Sequence, residues 1–338
     1  MTSIKDVARE ANVSTATVSR VINRQSNTSS AVTAAVHQAI AKLGYKVSST
    51  RQAAAAMGVM VSDVSEPFFG QIIKGVEAIA RKNDKRLFVL SSQYSADTER
   101  QTIRQLMSHC DHAIIHSKWL PDEELVEYAS QMPGLVLINR YIKSISHRCI
   151  ALDNVYGGYI ATRHLLNKGH RNIGCLCSEQ NIDDAVDRLK GYKQALTEYG
   201  IAIDEQFITS SYPSEEGGRL GTYNLLAKKL TLTAIVAYND VMAAGALSAL
   251  AENGIQCPES VSVVGFDDLI IASYLNPRLS TVRYPAAAMA EQAARLSLKL
   301  TSQDAPMPRE HVLIPTFVER SSTSALTPQT PFFLAKSS

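Results

Sequence analysis

No stretch of the 338-residue chain holds the roughly 18 consecutive apolar residues that a membrane-crossing helix needs, so a spanning protein is not expected. Cysteine is scarce: Cys110, Cys149, Cys175, Cys177 and Cys257 form an odd, dispersed set without a C-x-x-C pair, which fits a reducing compartment. There is no G-X-Y repeat and no sustained heptad, and the apolar content of 45% is ordinary, which excludes collagen, coiled coil and wholesale disorder. Residues Met1 to Asp6 turn amphipathic at once without an apolar signal core, so export is not expected and a cytoplasmic location is. The catalytic signatures are absent too: no GxGxxG, Walker, HExxH or GxSxG run occurs. His109 and His116 lack a Glu or Cys at ligand spacing, so a metal site is not expected and both read as polar residues at element ends. No catalytic residue, metal or cofactor is therefore anticipated, and the length allows two or three domains.

What is present is unevenly spread. Residues 1–51 carry seven basic and two acidic side chains, whereas the rest carry 27 basic and 30 acidic ones. A basic head on a mildly acidic body suits a polyanionic partner, although a solvated basic face would look the same.

The head has internal structure. Ser3 and Asp6 have capping-box spacing, and Ile4, Val7, Ala8 and Ala11 follow at helical intervals. Asn12 can supply a left-handed stop, and Ser14 a second N-cap. The next helix turns Val18, Val21 and Ile22 inward and leaves Thr15, Ala16, Ser19 and Arg20 outside. A third helix has Val32, Ala35, Val36, Ala39, Ile40 and Leu43 as its stripe and ends at Gly44. Two short helices joined by a tight turn and braced by a third suit a DNA major groove, with Arg20 the side chain able to grip guanine bidentately and Thr15 and Ala16 suited to a thymine methyl. A protein-interaction cap is the alternative for such a bundle.

From Met57 onward β-rich apolar runs alternate with helical patterns, the signature of parallel sheets covered on both faces. Strands are expected at 57–61, 87–90, 113–116, 135–138, 173–177, 234–237, 261–265 and 312–314. Helices are expected at 69–83, 98–109, 155–168, 183–199, 217–229, 241–252 and 286–300. Ligands of such folds sit beyond the carboxyl ends of the strands. There the chain places Ser62 to Phe69 with Glu66, Phe68 and Phe69, then Asn139-Arg140, Asp184 with Arg188, Asn239-Asp240 and Asp267-Asp268. Carboxylates, amides and guanidinium groups beside flat rings suit a sugar. Taken singly, each has a structural alternative: a core ring, a helix cap, a surface ion pair.

The residues that carry a resemblance are Ile4-Lys5-Asp6-Val7-Ala8 and Val13 to Asn23 in the head. In the body they are Pro67-Phe68-Phe69-Gly70, Ile138-Asn139-Arg140, Lys168 to Gly174, Ala237-Tyr238-Asn239-Asp240 and Val264 to Asp268. They resemble the lac repressor/galactose repressor family over nearly the whole chain, to about Arg320. Within it, 134–140, 147–154, 242–246 and 281–285 resemble the galactose-responsive branch. The resemblance implies an all-α helix-turn-helix headpiece and a two-lobed α/β core like periplasmic binding proteins. It also implies a homodimer, or a tetramer, that represses transcription at a double-stranded operator with a monosaccharide effector, D-galactose. Dimer contacts would lie in the lobe made of 58–150 and 285–305. Carried over by position, Glu66, Phe68, Asn139, Arg140, Asp184, Arg188, Asn239 and Asp267 meet the sugar, with Phe69 and Tyr212 beside them. Thr15, Ala16 and Arg20 read bases, while Ser14, Thr17 and Asn23 meet the DNA backbone, with Ser19 a further DNA-binding residue on the same outer face.

The implied domains are residues 1–45, a hinge at 46–57, a core at 58–320 and a loose tail at 321–338. The hinge departs from the family pattern. Pro-Asn after Tyr45 is missing, the linker is short, and Ala54 or a neighbour stands where a leucine would wedge into the minor groove. Arg51 and Ala54 are the expected DNA contacts there, and weaker or differently shaped operator bending is expected.

Overall fold

The computed structural model describes residues 3–22, 30–45, 56–302 and 311–326. The chain divides into two units, residues 1–55 and 56–338.

The first unit is three helices, α1 (Ile4–Glu10), α2 (Thr15–Ile22) and α3 (Ser30–Lys42). Asp6 accepts from the Ser3 backbone N–H at 2.9 Å and the Ser3 hydroxyl at 2.7 Å, and Asn12 closes α1 with φ of 51°. Ser14 caps α2 by accepting from the Thr17 N–H at 3.1 Å. Val7, Ala8, Val18, Val21, Val36 and Ala39 form the buried core of this unit.

The second unit contains two six-stranded sheets. In the first lobe β1 (Ala56–Val61), β2 (Arg86–Ser91), β3 (His112–Ile115), β4 (Gly134–Ile138), β5 (Cys149–Leu152) and β11 (His311–Leu313) pair in the order β11-β5-β4-β3-β1-β2, all parallel. In the second lobe β6 (Ile173–Ser178), β7 (Ile208–Ser211), β8 (Ala234–Ala237), β9 (Ser262–Asp267), β10 (Ser280–Arg283) and β12 (Thr316–Val318) run β12-β10-β9-β8-β6-β7, with only β12 antiparallel. The central strands β1, β4, β6 and β9 are buried along their whole length because helices cover both faces.

Helices α4 (Pro67–Lys82) and α11 (Ala286–Leu300) pack together against the first sheet, with α5 (Ala96–His109) and α6 (Asp122–Gln131) in its other apolar cluster. In the second lobe α7 (Asn154–Asn167) pairs with α8 (Asp183–Glu198), and α9 (Glu215–Ala227) with α10 (Asp240–Glu252). Gly158 and Gly191 are where α7 and α8 touch: a Cβ on Gly158 would lie 2.1 Å from the Arg188 carbonyl oxygen.

Four strands and one helix are additional to those expected: β5, β7, β10, β12 and α6. Two boundaries move. Ala56 and Met57 are buried in β1 rather than in a hinge, and the core runs past residue 320. Ser322 is fully buried, donating to the Val263 carbonyl at 2.6 Å and accepting from the Ser280 N–H at 2.8 Å, and the Leu326 N–H donates to the Lys168 carbonyl at 2.8 Å, so 321–326 are tied to the core and are not a loose tail. The hinge residues 46–55, with Arg51 and Ala54, lie outside the described residues, as do Asn23 and 327–338.

Candidate functional sites

In the headpiece unit Ser14, Thr15, Ala16 and Arg20 are exposed, with Thr17 and Ser19 half-buried beside them. The small side chains at the start of α2 leave its surface low, and Arg20 is the long donor on it. Ser14 and Thr17 share a hydroxyl contact of 2.9 Å that steadies the first turn.

In the second unit both sheets have the same order reversal. The chain leaves β1 in one direction and β3 in the other, and likewise β6 and β8, which creates a crevice at the carboxyl ends of those pairs. The two crevices line one pocket, partly open to solvent, to which both lobes contribute side chains. The first lobe contributes Glu66, Phe68, Phe69, His116, Lys118 and Trp119; the second contributes Asp184, Arg188, Tyr238, Asn239 and Asp267.

Arg188 is the best-held cation. Its Nε donates to Asn154 at 3.0 Å, Nη1 to the Tyr238 carbonyl at 2.7 Å, and Nη2 lies 3.6 Å from Asp267. The guanidinium stacks on Phe266 at 3.6 Å and Tyr238 at 4.6 Å. Asp184 bridges the lobes by accepting from Lys118 Nζ at 2.6 Å and Asn139 Nδ2 at 2.7 Å, while Lys118 also donates to the Asn139 carbonyl. Burial works to raise the Asp184 carboxyl, but Lys118 and Arg188 hold it below the usual carboxylate range.

Asp267 behaves oppositely. Burial pushes it up to about 7, Arg188 pulls against that, and Asp184 and Glu66 reinforce it. Glu66 is also raised by burial, although it accepts from the Tyr94 hydroxyl. Burial holds His116 down to about 3, so its ring is neutral, 3.4 Å from the Ser62 hydroxyl. The backbone is left-handed at Asn139 (φ 57°) and at Asp267 (φ 110°), a costly geometry that aims both side chains inward.

Of the residues expected from sequence, Glu66, Phe68, Asp184, Arg188, Asn239 and Asp267 line the pocket, and Asn139 reaches it through Asp184. Phe69 lines it but is only 5% exposed and belongs chiefly to the core. Asn239 is also the N-cap of α10, accepting from the Met242 N–H at 2.8 Å, which leaves its amide nitrogen for a ligand.

Arg140 does not line the pocket. It donates to Asp122 at 2.7 Å and the Leu120 carbonyl at 3.2 Å and approaches Asp183 at 3.7 Å, so its charge is spent beside the cleft. Tyr212 is 47% exposed and not a lining residue, although its neighbour Pro213 is. Asp240 is buried on Thr281 and the Leu269 N–H, and Asp268 turns to Arg283 and Arg320. Tyr94, Lys118, Trp119, Gln180 and Tyr238 were not expected. The order reversal between β1 and β3 points straight at 116–119, and only the full strand order exposes it. Among the described residues no group of His, Cys, Asp and Glu could hold a metal.

Residues 3–48 match the bacterial regulatory proteins of the lacI family, and 162–323 match a periplasmic binding protein-like domain. The chain is 46% identical over 331 residues to the HTH-type transcriptional regulator GalR of Escherichia coli, covering 96% of each chain. It is 45% identical over 330 residues to GalS of Salmonella typhimurium, covering 96% of this chain and 97% of that one. A solved structure of the transcriptional regulator CelR in complex with cellobiose superposes with a TM-score of 0.70 at 28% identity, over 95% of this chain and 100% of that one. No helix among the described residues is long and apolar enough to cross a membrane. With a helix-turn-helix head, a two-lobed sugar-binding type of core and relatives that are regulators rather than enzymes, the chain belongs to the lacI family of bacterial transcriptional regulators.

Proposed function

We propose that the chain is a homodimeric repressor whose operator affinity falls when D-galactose occupies the core pocket. The observation that carries the ligand reading is the pairing of charges in the pocket: Lys118 is spent on Asp184 and Arg188 lies against Asp267. A phosphorylated or acidic sugar meets three carboxyl groups, Glu66, Asp184 and Asp267, against two cations, Lys118 and Arg188, whereas a neutral polyol finds acceptors in those carboxyl groups and donors in Arg188 and the Asn239 amide. Phe68 supplies an apolar ring for the sugar's C–H face. In the head, Thr15, Ala16 and Arg20 read bases, with Ser14, Thr17 and Asn23 on the DNA backbone and Ser19 beside them; in the linker, Arg51 and Ala54 meet the DNA. Asp184 already bridges the lobes, so a sugar that adds contacts on both sides stabilises the closed arrangement, and only that difference in affinity can change DNA binding.

The test is a mobility shift on a duplex selected from random DNA, with and without galactose. Galactose should release the wild-type protein. Arg188→Ala should keep DNA binding and lose the response, whereas Arg20→Ala should lose operator discrimination and keep sugar binding. A shift indifferent to every neutral sugar would sink the ligand reading.

A further inference from the structure

The loop after β3 is tied down more tightly than a pocket wall requires. Glu99 on α5 is fully buried, and what holds its carboxylate is a set of hydrogen bonds. It accepts from the Ser117 hydroxyl at 2.5 Å and the Lys118 N–H at 3.0 Å, and from the N–H groups of Trp119 and Leu120. A carboxylate set against successive amides in this way fixes the backbone of the whole loop. The same loop is held from two other sides. Lys118 Nζ crosses to Asp184, and Arg140 donates to the Leu120 carbonyl.

What this framework presents is Trp119, the chain's sole tryptophan, on the pocket wall. Its indole N–H is buried and has no protein partner. A buried tryptophan N–H ordinarily finds an acceptor, because leaving a donor unsatisfied costs stability. Tyr284 repeats the pattern: its hydroxyl is buried without a partner, and its ring packs edge-on against the pocket ring of Phe68 at 4.9 Å. A lining tryptophan with an unpartnered indole donor, on a loop whose backbone Glu99 holds, is an arrangement that a ligand oxygen completes.

We propose that Trp119 is a specificity-determining residue of the sugar site: its N–H donates to an oxygen of the bound neutral sugar, its ring covers a C–H face, and Glu99 positions it. This rests on the sugar reading above. In D-galactopyranose the C–H bonds at C3, C4 and C5 share one face, whereas in D-glucopyranose they do not, so an added ring platform favours the former.

Because no other tryptophan contributes, indole emission of the full-length protein reports on this wall alone. Galactose should change that emission along the same isotherm that calorimetry gives. Trp119→Phe keeps a ring and removes the donor, and should weaken galactose about 3–10-fold. Trp119→Leu removes the platform too and should lose about a further 3–10-fold. The galactose-to-glucose preference should shrink in the same order, while a cooperative melting transition of the core unit reports that each variant is folded. For Glu99, Glu99→Gln should broaden the galactose-induced emission change and reduce affinity, effects that a merely structural carboxylate would not couple. In monodeoxy galactoses, one position should lose affinity in the wild type and not in Trp119→Phe, which identifies the acceptor. If Trp119→Leu binds galactose as the wild type does, the assignment is overturned and the sugar reading stands. If calorimetry detects no neutral monosaccharide with the wild type, both are overturned.

Discussion

At the scale of single residues the pocket is a set of carboxylates pushed apart by their surroundings. Asp184 is held down by Lys118 and Arg188, while burial lifts Asp267 to about 7. The consequence for pH has a definite sign. Between the ordinary carboxylate value of 3.8 and about 7 the folded chain keeps a proton on Asp267 that the unfolded chain releases, so this group's contribution to stability declines as pH rises through that window. The ionised carboxylate is the form that accepts two hydroxyl donors and pairs with Arg188. Galactose affinity should therefore rise from about pH 6 to pH 8, and Asp267→Asn should flatten the profile. Calorimetric titrations at three pH values check this, and an identical slope in the variant would remove Asp267 from the explanation. Asp184, Arg188 and Asp267 were readable in sequence because they follow strands. Arg140 looked equivalent and is not, because Asp122, which takes its charge, sits on the helix the sequence pattern did not reveal.

At the scale of elements, the long periodic pieces were the readable ones. The N-terminal helices follow from Ser3, Asn12, Ser14 and Gly44, each of which has the capping or left-handed role its residue type suggests. The missed strands are short, and β7 and β12 lie at sheet edges, where half-buried runs such as Ile208-Thr209-Ser210-Ser211 lack apolar continuity. Helix α6 buries only Leu125 and Ala129, too thin a stripe to stand out. The α7–α8 contact was invisible for a different reason: a glycine's purpose there depends on a partner helix. Gly158→Ala would drive a methyl against the Arg188 carbonyl. It should cost about 1–3 kcal/mol and move Arg188 off its ring stack, weakening galactose while leaving operator binding in place. Thermal denaturation and sugar titration of this one variant read both effects, and an unchanged midpoint would show that the helices can part freely.

At the scale of the whole chain, two units with separate apolar cores should melt separately. Sugar at about 100 times its Kd should stabilise the unit that binds it by about 2.7 kcal/mol, so scanning calorimetry with galactose should raise the core transition and leave the headpiece transition where it was. A rise in both would mean that the units unfold as one. The altered linker motif was plain in the sequence, and its effect on operator bending belongs to DNA-bound measurements. The left-handed backbone at Asn139 and Asp267 reaches beyond this one protein. A left-handed conformation is uncommon for most side chains, although Gln93, Tyr94 and Lys229 also adopt it here, so replacing Asn139 or Asp267 adds a backbone cost to the lost side chain. A change of carbohydrate preference therefore comes at lower cost where a lining residue has ordinary backbone, as Asn239 does, than at these two positions.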